Sequence, residues 1–507
     1  MKKIIFFIVM CSICLTSISK AYISDDMKGI WVATVYNLDY PLSPTTDVNT
    51  LKSEIKTILN NISEMGYNAV FFQVRPSADS FYKSDIFPWS KYLTGQNGLA
   101  PLDGFDPLTF LVEEAHKKGI EVHAWINPYR ITKKGDEEYA SISSESPAKK
   151  HPEYVVKYSD GNYYFNPGIP EVRKMVVDGA VEIVKNYQID GIHMDDYFYP
   201  GTSFNDTETY NKCGNGFSNI EDWRRNNVDL LIQEINEAVH KANKNVSFGI
   251  SPFAIWMNLS SSSLGSNTNG TESYNSHYAD TRKWVQNSWI DYIAPQIYWE
   301  VGHKSANYAE LLSWWNNVAS GSRTKLYIGL ADYKSVGVNS KSVWYRGKEI
   351  EKQLKLNDTH INVAGEIHYR YNSMLSDKYV WNIVKKYYKN DEITVFVNGD
   401  KVKFDQKPFI ENSRTLVPMR AIFEALDAEV IWNGEGRTIT VTKGKNSIFL
   451  KVDSNKMLVN GKEKTIDVPA KIVGNRTLVP LRAISEALNS DVEWYPDSKT
   501  ILINDTL

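Results

Sequence analysis

The stretch DGIHMDDYFYP, residues 190–200, closes an apolar run with two adjacent aspartates, a histidine before them and aromatic residues after. Adjacent carboxylates repel each other, so packing alone is a poor reason to place them together. Read as a strand, the stretch sorts with a period of two. Ile192 and Met194 fall on one side, while His193, Asp195 and then Tyr197 fall on the other. Asp196 takes the last strand position, where the chain turns into a loop. A strand with one apolar face and a polar face ending in carboxylates needs a scaffold that buries the first and opens the second.

The rest of the chain supplies that scaffold. Short apolar runs recur at GIWVATVY (29–36), NAVFFQVRP (68–76), IEVHAWINP (120–128), IDGIHMDD (189–196), VSFGISPF (246–253), IDYIAPQIYW (290–299), KLYIGLA (325–331) and NVAGEIHYRY (362–371). Amphipathic stretches separate them. DVNTLKSEIKTILNNISEMG (47–66) has an acidic start and a glycine stop, and DPLTFLVEEAHKKG (106–119) repeats that grammar. Eight such units predict an α/β fold, a (β/α)8 TIM barrel with long loops after several strands and its site at the C-terminal rim. A doubly wound open sheet competes, but it would carry a glycine-rich turn after its first strand, and YNLDYPLSP is not one.

With 507 residues, 42% of them hydrophobic, the chain needs more than one core. A formal charge of −3 suggests neither a nucleic acid nor an anionic membrane as partner. The N-terminal MKKIIFFIVMCSICLTSISKAY has two lysines, an apolar run from Ile4 to Leu15 and a small-residue segment ending at Ala21. That run is too short to span a bilayer and reads as a signal peptide over residues 1–21, with a retained anchor as the alternative. Cleavage removes Cys11 and Cys14 and leaves Cys213, so no internal disulfide is expected. The mature protein is then secreted, extracellular or attached to a cell wall, with no membrane contact after cleavage.

The grammar changes near residue 390. SRTLVPMRAIFEAL (413–426) recurs as NRTLVPLRAISEAL (475–488), each copy preceded by a VNG turn signal. Residues 22–389 are therefore read as the barrel domain and residues 393–507 as a duplicated α+β module. The module has no cluster of His, Cys or paired carboxylates, and the role expected of it is that of a structural or wall-adhering appendage, with the cell wall as its partner.

Strand alternation sorts the candidate site. Beside Asp195 and Asp196, the second strand sends Gln73 and Arg75 inward, although Arg75 could instead only neutralise nearby carboxylates. The third sends Trp125 and Asn127 inward, with Arg130 just beyond, and His123 is read as a hydrogen-bonded core residue. The sixth contributes Gln296, Tyr298, Trp299 and Glu300, and the eighth Glu366 and His368. Asp195, Asp196 and Glu300 are the catalytic candidates. Gln73, Arg75, Trp125, Asn127, Arg130, His193, Tyr197, Gln296, Tyr298, Trp299 and His368 are the substrate-binding candidates. No metal and no cofactor are expected: neighbours on a strand point to opposite sides, so His193, Asp195 and Asp196 do not converge, and no HxH or HExxH spacing is present. Two carboxylates in a polar, aromatic cleft suit glycoside hydrolysis. One acid protonates the leaving oxygen, and a second carboxylate or the substrate's own acetamido group stabilises the oxocarbenium-like transition state. The alternatives are a non-catalytic glycan-binding wall protein and a metal-assisted glycan deacetylase.

GIWVATVYNLDYP, FFQVRPSADSFYKSDIFPWSKYLTG, HAWINPYR, DGIHMDDYFYP, GISPFAIWMN and DYIAPQIYW, taken in order, resemble the bacterial glycosyl-hydrolase-like family 10 over roughly residues 27–385. The resemblance implies a barrel hydrolysing wall or extracellular polysaccharide, with peptidoglycan or another N-acetylhexosamine polymer as substrate. DGIHMDDY also looks like the DGxDxDxE signature of chitinase-type barrels, with Asp190, Gly191 and Asp195 in matching places. There His193 replaces an aspartate and Tyr197 stands where the acid glutamate would be. The tail is similar to the copper amine oxidase N-terminal-like stalk domain, without a visible copper ligand set.

Overall fold

The computed structural model describes residues 26–195, 198–389, 393–404, 406–411, 414–474, 476–495 and 499–505. The expected leader, Asp196 and Tyr197 lie outside the described residues. Eight parallel strands close a barrel in chain order: β1 (Met27–Val32), β2 (Ala69–Arg75), β3 (Glu121–Ile126), β4 (Gly191–Asp195), β5 (Ser247–Ser251), β6 (Tyr292–Ile293), β7 (Lys325–Leu330) and β8 (Val363–His368). Seven lie within their apolar runs, and β1 begins two residues before its run, at Met27. β6 is shorter than its run because Pro295 has no N–H to give the ladder; isolated bridges from Gln296 to Phe253 and Gly329 carry the chain on to the rim.

The main helices around the barrel are α1 (Val48–Met65), α2 (Pro107–His116), α3 (Pro170–Asn186), α4 (Ile220–Ala242), α5 (Thr281–Gln286), α6 (Tyr308–Ala319), α7 (Lys348–Asn357) and α8 (Lys378–Tyr388). Their ends follow the sequence signals. Asp47 accepts from the Thr50 amide at the start of α1, and Gly66 stops it at a φ of 89°. Asp106 caps α2, with Pro107 at the first position. Leu51, Ile55, Ile58, Leu59 and Ile62 make the buried stripe of α1. They join Ile192, Met194 and the other outward strand residues in one core between barrel and helices.

Inside the barrel, rings fill the space. His123 stacks on Phe71 at 4.4 Å and His193 lies parallel to Tyr292 at 5.9 Å. One hydrogen-bond chain orders them. The Trp31 indole can only donate, so His193 Nε2 accepts it at 3.1 Å and the ring proton sits on Nδ1. Nδ1 then donates to Tyr292 Oη at 3.1 Å, and Tyr292 in turn to His123 Nδ1 at 3.1 Å. Burial and the neighbouring His123 push the His193 pKa well down, which keeps this ring neutral. Two glycines make room for the chain. A Cβ on Gly191 would stand 2.2 Å from His123 Nδ1, and one on Gly249 would stand 2.2 Å from the Tyr292 ring.

Two strands depart from the expected alternation. In β2, Gln73 pairs with Trp125 but Arg75 pairs with Ile126, so the strand bulges at Val74. Arg75 consequently leaves the barrel axis. Its guanidinium lies 3.9 Å from the centre of the Phe87 ring and against Gly179 of α3. In β8 the register shifts between Val363 and Glu366, across Gly365 at a φ of 132°. Ile367 therefore points into the barrel, and Glu366 and His368 point out. His368 Nδ1 lies 2.9 Å from Asp332 and Nε2 lies 2.8 Å from Tyr388 Oη of α8. Arg75 and His368 are thus not substrate-facing. The lower barrel interior is itself apolar, so polarity does not mark the inside there.

The C-terminal module has its own core, built on Val417, Ile422, Phe423, Val479, Ile484 and their neighbours. The repeated strands Arg414–Pro418 and Arg476–Pro480 pair antiparallel with each other, Leu416 facing Pro480 and Pro418 facing Leu478. Each runs straight into its helix, Met419–Ala425 or Leu481–Ala487. The duplication is therefore a local two-fold centred on Val417 and Val479. Lys401 of the module reaches Asp358 at 3.3 Å, and Phe396 and Thr500 line a cleft with Lys325 and Gly365 near the N-terminal ends of β7 and β8. The module thus lies by the end of the barrel opposite the rim where the strands point. No helix among the described residues is long and apolar enough to cross a membrane.

Glu366 faces that cleft with one hydrogen bond, from Asn357 Nδ2 at 3.1 Å. Burial, reinforced by the Asp358 charge, pushes its pKa from 4.5 to about 8. Between those two pH values the folded chain keeps a proton that the unfolded chain has lost, so stability falls as the pH rises through that window. Glu366→Gln removes the effect. We expect it to raise Tm by several degrees at pH 8 and to leave Tm nearly unchanged at pH 4, as read by calorimetry.

Candidate active site

At the C-terminal rim the polar side chains from β1, β2, β3 and β4 form one directed chain of hydrogen bonds. The backbone amides of Thr34 and Val35 donate to Gln73 Oε1 at 2.9 and 3.0 Å. That leaves the Gln73 amide nitrogen as a donor, and it reaches Asn127 Oδ1 at 2.7 Å. Arg130 Nη2 donates to the same oxygen at 2.9 Å. Asn127 must then present its nitrogen to Asp195, and it lies 2.6 Å from both carboxylate oxygens. Backbone donors that cannot reverse set the direction of the chain, and it ends in donation to Asp195. Such an arrangement favours the ionised carboxylate.

Arg130 is held by its Nε and Nη2, which donate to the Pro76 carbonyl at 2.8 and 2.6 Å. Trp125 faces inward with its edge toward His193, their centroids 6.5 Å apart, and its indole N–H meets no acceptor among the described residues. His193 points inward as the alternation requires, but it is fully buried under Trp31. It belongs to the floor of the site rather than to its surface.

The opposite wall is aromatic. Tyr298 stacks on Tyr369 at 6.0 Å, and Tyr333 stands edge-on to both at 6.0 Å. Burial raises the Tyr369 phenol to about 12, with the Asp39 and Asp195 charges adding to it, so it remains a donor at neutral pH. The segment after Tyr369 is pinned to the β1 exit. Arg370 Nη1 and the Asn372 amide reach Asp39 Oδ1 at 2.6 and 2.8 Å, and the Ala33 amide reaches Oδ2 at 2.8 Å. Gln296 donates to the Ser251 carbonyl at 2.8 Å. Glu300 has Lys334 and Glu349 as its charged neighbours, and Lys334 Nζ also donates to the Tyr298 carbonyl. Trp299 packs toward His303, and its carbonyl accepts from Gln353 of α7 at 3.0 Å.

The structure therefore brings Gln73, Asn127, Arg130 and Asp195 together, and it removes Arg75 and His368. Sequence reasoning missed Tyr333, Tyr369, Lys133 and the Asp39–Arg370 pair. Tyr369 follows the strand whose phase was misread. Lys133 had one signal, the basic run ITKKG directly after the third strand.

Residues 26–346 match the family described as Glycosyl hydrolase-like 10, and residues 396–503 match the Copper amine oxidase N-terminal domain. Glycosyl hydrolase YngK of Bacillus subtilis (strain 168) is 45% identical over 350 residues, which is 68% of this chain and 68% of that one. Glycosyl hydrolase DigH of Escherichia coli (strain K12) is 41% identical over 368 residues, 68% of this chain and 83% of that one. Among solved structures, the PgaB (BpsB) glycoside hydrolase domain from Bordetella bronchiseptica aligns at a TM-score of 0.48 and 11% identity, covering 71% of this chain and 98% of that one.

If the amide chain keeps Asp195 ionised, its last link is open to test. Asn127→Ala should lower kcat by about 10–100-fold. It should lower Tm by several degrees, because Gln73 and Arg130 lose a buried acceptor. It should also move the acid limb of the pH–rate profile upward, because the carboxylate loses donors to its charged form. Asp195→Asn should lower kcat by ~10²–10⁴-fold, measured on the same substrate.

Proposed function

Since the chain belongs to the Glycosyl hydrolase-like 10 family and is a glycosidase acting on a carbohydrate, we propose that it is exported and cleaves an N-acetylhexosamine glycan of the cell wall, namely peptidoglycan strands. The observation that carries the reading is Asp195, met on both oxygens by the Asn127 amide, at a rim that also carries Tyr298, Tyr333 and Tyr369. Sugar rings offer flat C–H faces to aromatic walls and hydroxyls to polar rims. The leader-like N-terminus supports an exported enzyme and hence an extracellular glycan.

In this mechanism Asp195 faces the positive charge that develops at the anomeric carbon. It acts either directly or by orienting the substrate's acetamido group. Asp196, next in the chain, supplies the proton to the leaving oxygen, and the adjacent ionised carboxylate helps it hold that proton. Glu300 and Gln296 bind hydroxyls further along the strand. Trp125 offers its indole N–H to a substrate oxygen. Incubation with purified peptidoglycan, with and without its peptides, followed by mass spectrometry tests the reading. Glycosidic fragments are the expected products; intact strands, or strands that have lost only acetyl groups, would reject it.

Both oxygens of Asp195 already face the Asn127 amide donor, an arrangement that competes with binding a cation. Activity should therefore be unchanged in EDTA. A loss that zinc restores would favour the deacetylase chemistry instead.

The module is proposed to hold the enzyme on the wall, with the barrel mouth at the far end from it. A chain truncated after Lys389 should keep its turnover on short soluble glycans and lose retention on insoluble walls, since tethering raises local concentration without changing the chemistry. Equal sedimentation of both forms with cell walls would reject this role.

A further inference from the structure

We propose that Lys133 sets the specificity of the cleft: its ammonium receives a carboxylate carried by the sugar beside the cut, the lactyl carboxylate of an N-acetylmuramic residue. The inference rests on the wall-glycan reading above.

Lys133 lies on the segment leaving β3, and its backbone is pinned at the mouth. Its amide donates to Glu138 Oε2 at 2.6 Å and its carbonyl accepts from Tyr36 Oη of the β1 exit at 3.2 Å. The side chain is half buried, and the charges that act on it are those of Arg130, Asp195, Asp160 and Glu138. Each of these is already engaged. Glu138 takes the Lys133 and Lys134 amides on Oε2, at 2.6 and 2.7 Å, and the Lys91 ammonium on Oε1 at 2.8 Å. Asp160 accepts from the Asn162 amide at 2.8 Å and from Tyr164 Oη at 2.8 Å. Asp195 faces Asn127, and Arg130 is spent on Pro76 and Asn127.

The Lys133 ammonium itself has neither a hydrogen bond nor an ion pair among the described residues. Burial, helped by Arg130, lowers its pKa against the opposing pull of the Asp195, Asp160 and Glu138 charges, none of which bonds the ammonium. A half-buried ammonium that no anion among the described residues meets is costly unless a ligand anion meets it. Lys133 follows by three residues Arg130, whose Nη2 shares Asn127 Oδ1 at 2.9 Å with the amide chain that ends on Asp195, so an anion that meets Lys133 belongs to a sugar bound next to Asp195. In a strand of alternating N-acetylhexosamines, the lactyl ether is the group that carries a carboxylate.

The test uses the full mature enzyme on two substrates: peptide-free strands of alternating N-acetylglucosamine and N-acetylmuramic acid, and the same strands with their carboxyl groups reduced to alcohols. For the wild type we expect KM to rise about 10–100-fold on reduction with kcat nearly constant, the size of a charge-assisted contact. Lys133→Met should show the raised KM on native strands and no further change on reduced ones. Equal turnover of reduced strands by variant and wild type shows that the variant is folded. Equal KM of the wild type for both strands would overturn the proposal. So would a loss in Lys133→Met that is the same on both strands, because Lys133 would then act through Asp195 or through folding. If the wild type cleaves neither strand, the wall-glycan reading falls, and this one with it.

Discussion

The site depends on the direction of one hydrogen-bond chain. Two backbone amides at the end of β1 can only donate, so they orient the Gln73 amide, which orients Asn127, which presents its nitrogen to Asp195. Four adjacent strands contribute one link each. Reversing any amide would place two donors or two acceptors face to face in a buried rim, at a cost of a few kcal/mol by the usual penalty for an unmet polar group. The chain thereby specifies which way each amide points as well as where it sits.

Below this layer a second directed chain runs from Trp31 through His193 and Tyr292 to His123. Its rings fill the barrel and support the floor under Asp195. Polar residues inside a barrel are tolerable here because the donors and acceptors match in sequence. The space for them comes from Gly191 and Gly249, whose missing side chains are occupied by His123 and Tyr292. The glycine of DGIHMDD is thus explained by packing, although it belongs to a signature read for its chemistry.

Function is separated along the barrel axis. The rim where the strands point carries the amide chain, the tyrosine wall and the cationic mouth. The other end carries the module, joined through Lys401 and the cleft that contains Glu366. A buried neutral acid can be tolerated at that joint, whereas at the rim ionisation is supported by donors. At the joint, burial and the Asp358 charge outweigh the one hydrogen bond from Asn357, whereas at the rim the Asn127 amide meets both oxygens of Asp195.

The sequence alone determined the barrel, its eight strands in order, the duplicated tail and the placing of Asp195, Gln73 and Asn127 on one inward face. These follow from local periodicity, capping and repetition, which act over a few residues and survive any tertiary arrangement. Tertiary structure decided the rest. The bulge at Val74 turned Arg75 out, and the register shift across Gly365 turned out Glu366 and His368 and brought Ile367 in. A one-residue slip reverses every side chain beyond it, and nothing in the local pattern marks where it falls. The burial of His193, the pinning of Tyr369 by Asp39 and Arg370, and the unpaired charge of Lys133 were equally illegible. Each depends on residues far apart in the chain, and only closing the barrel brings them together.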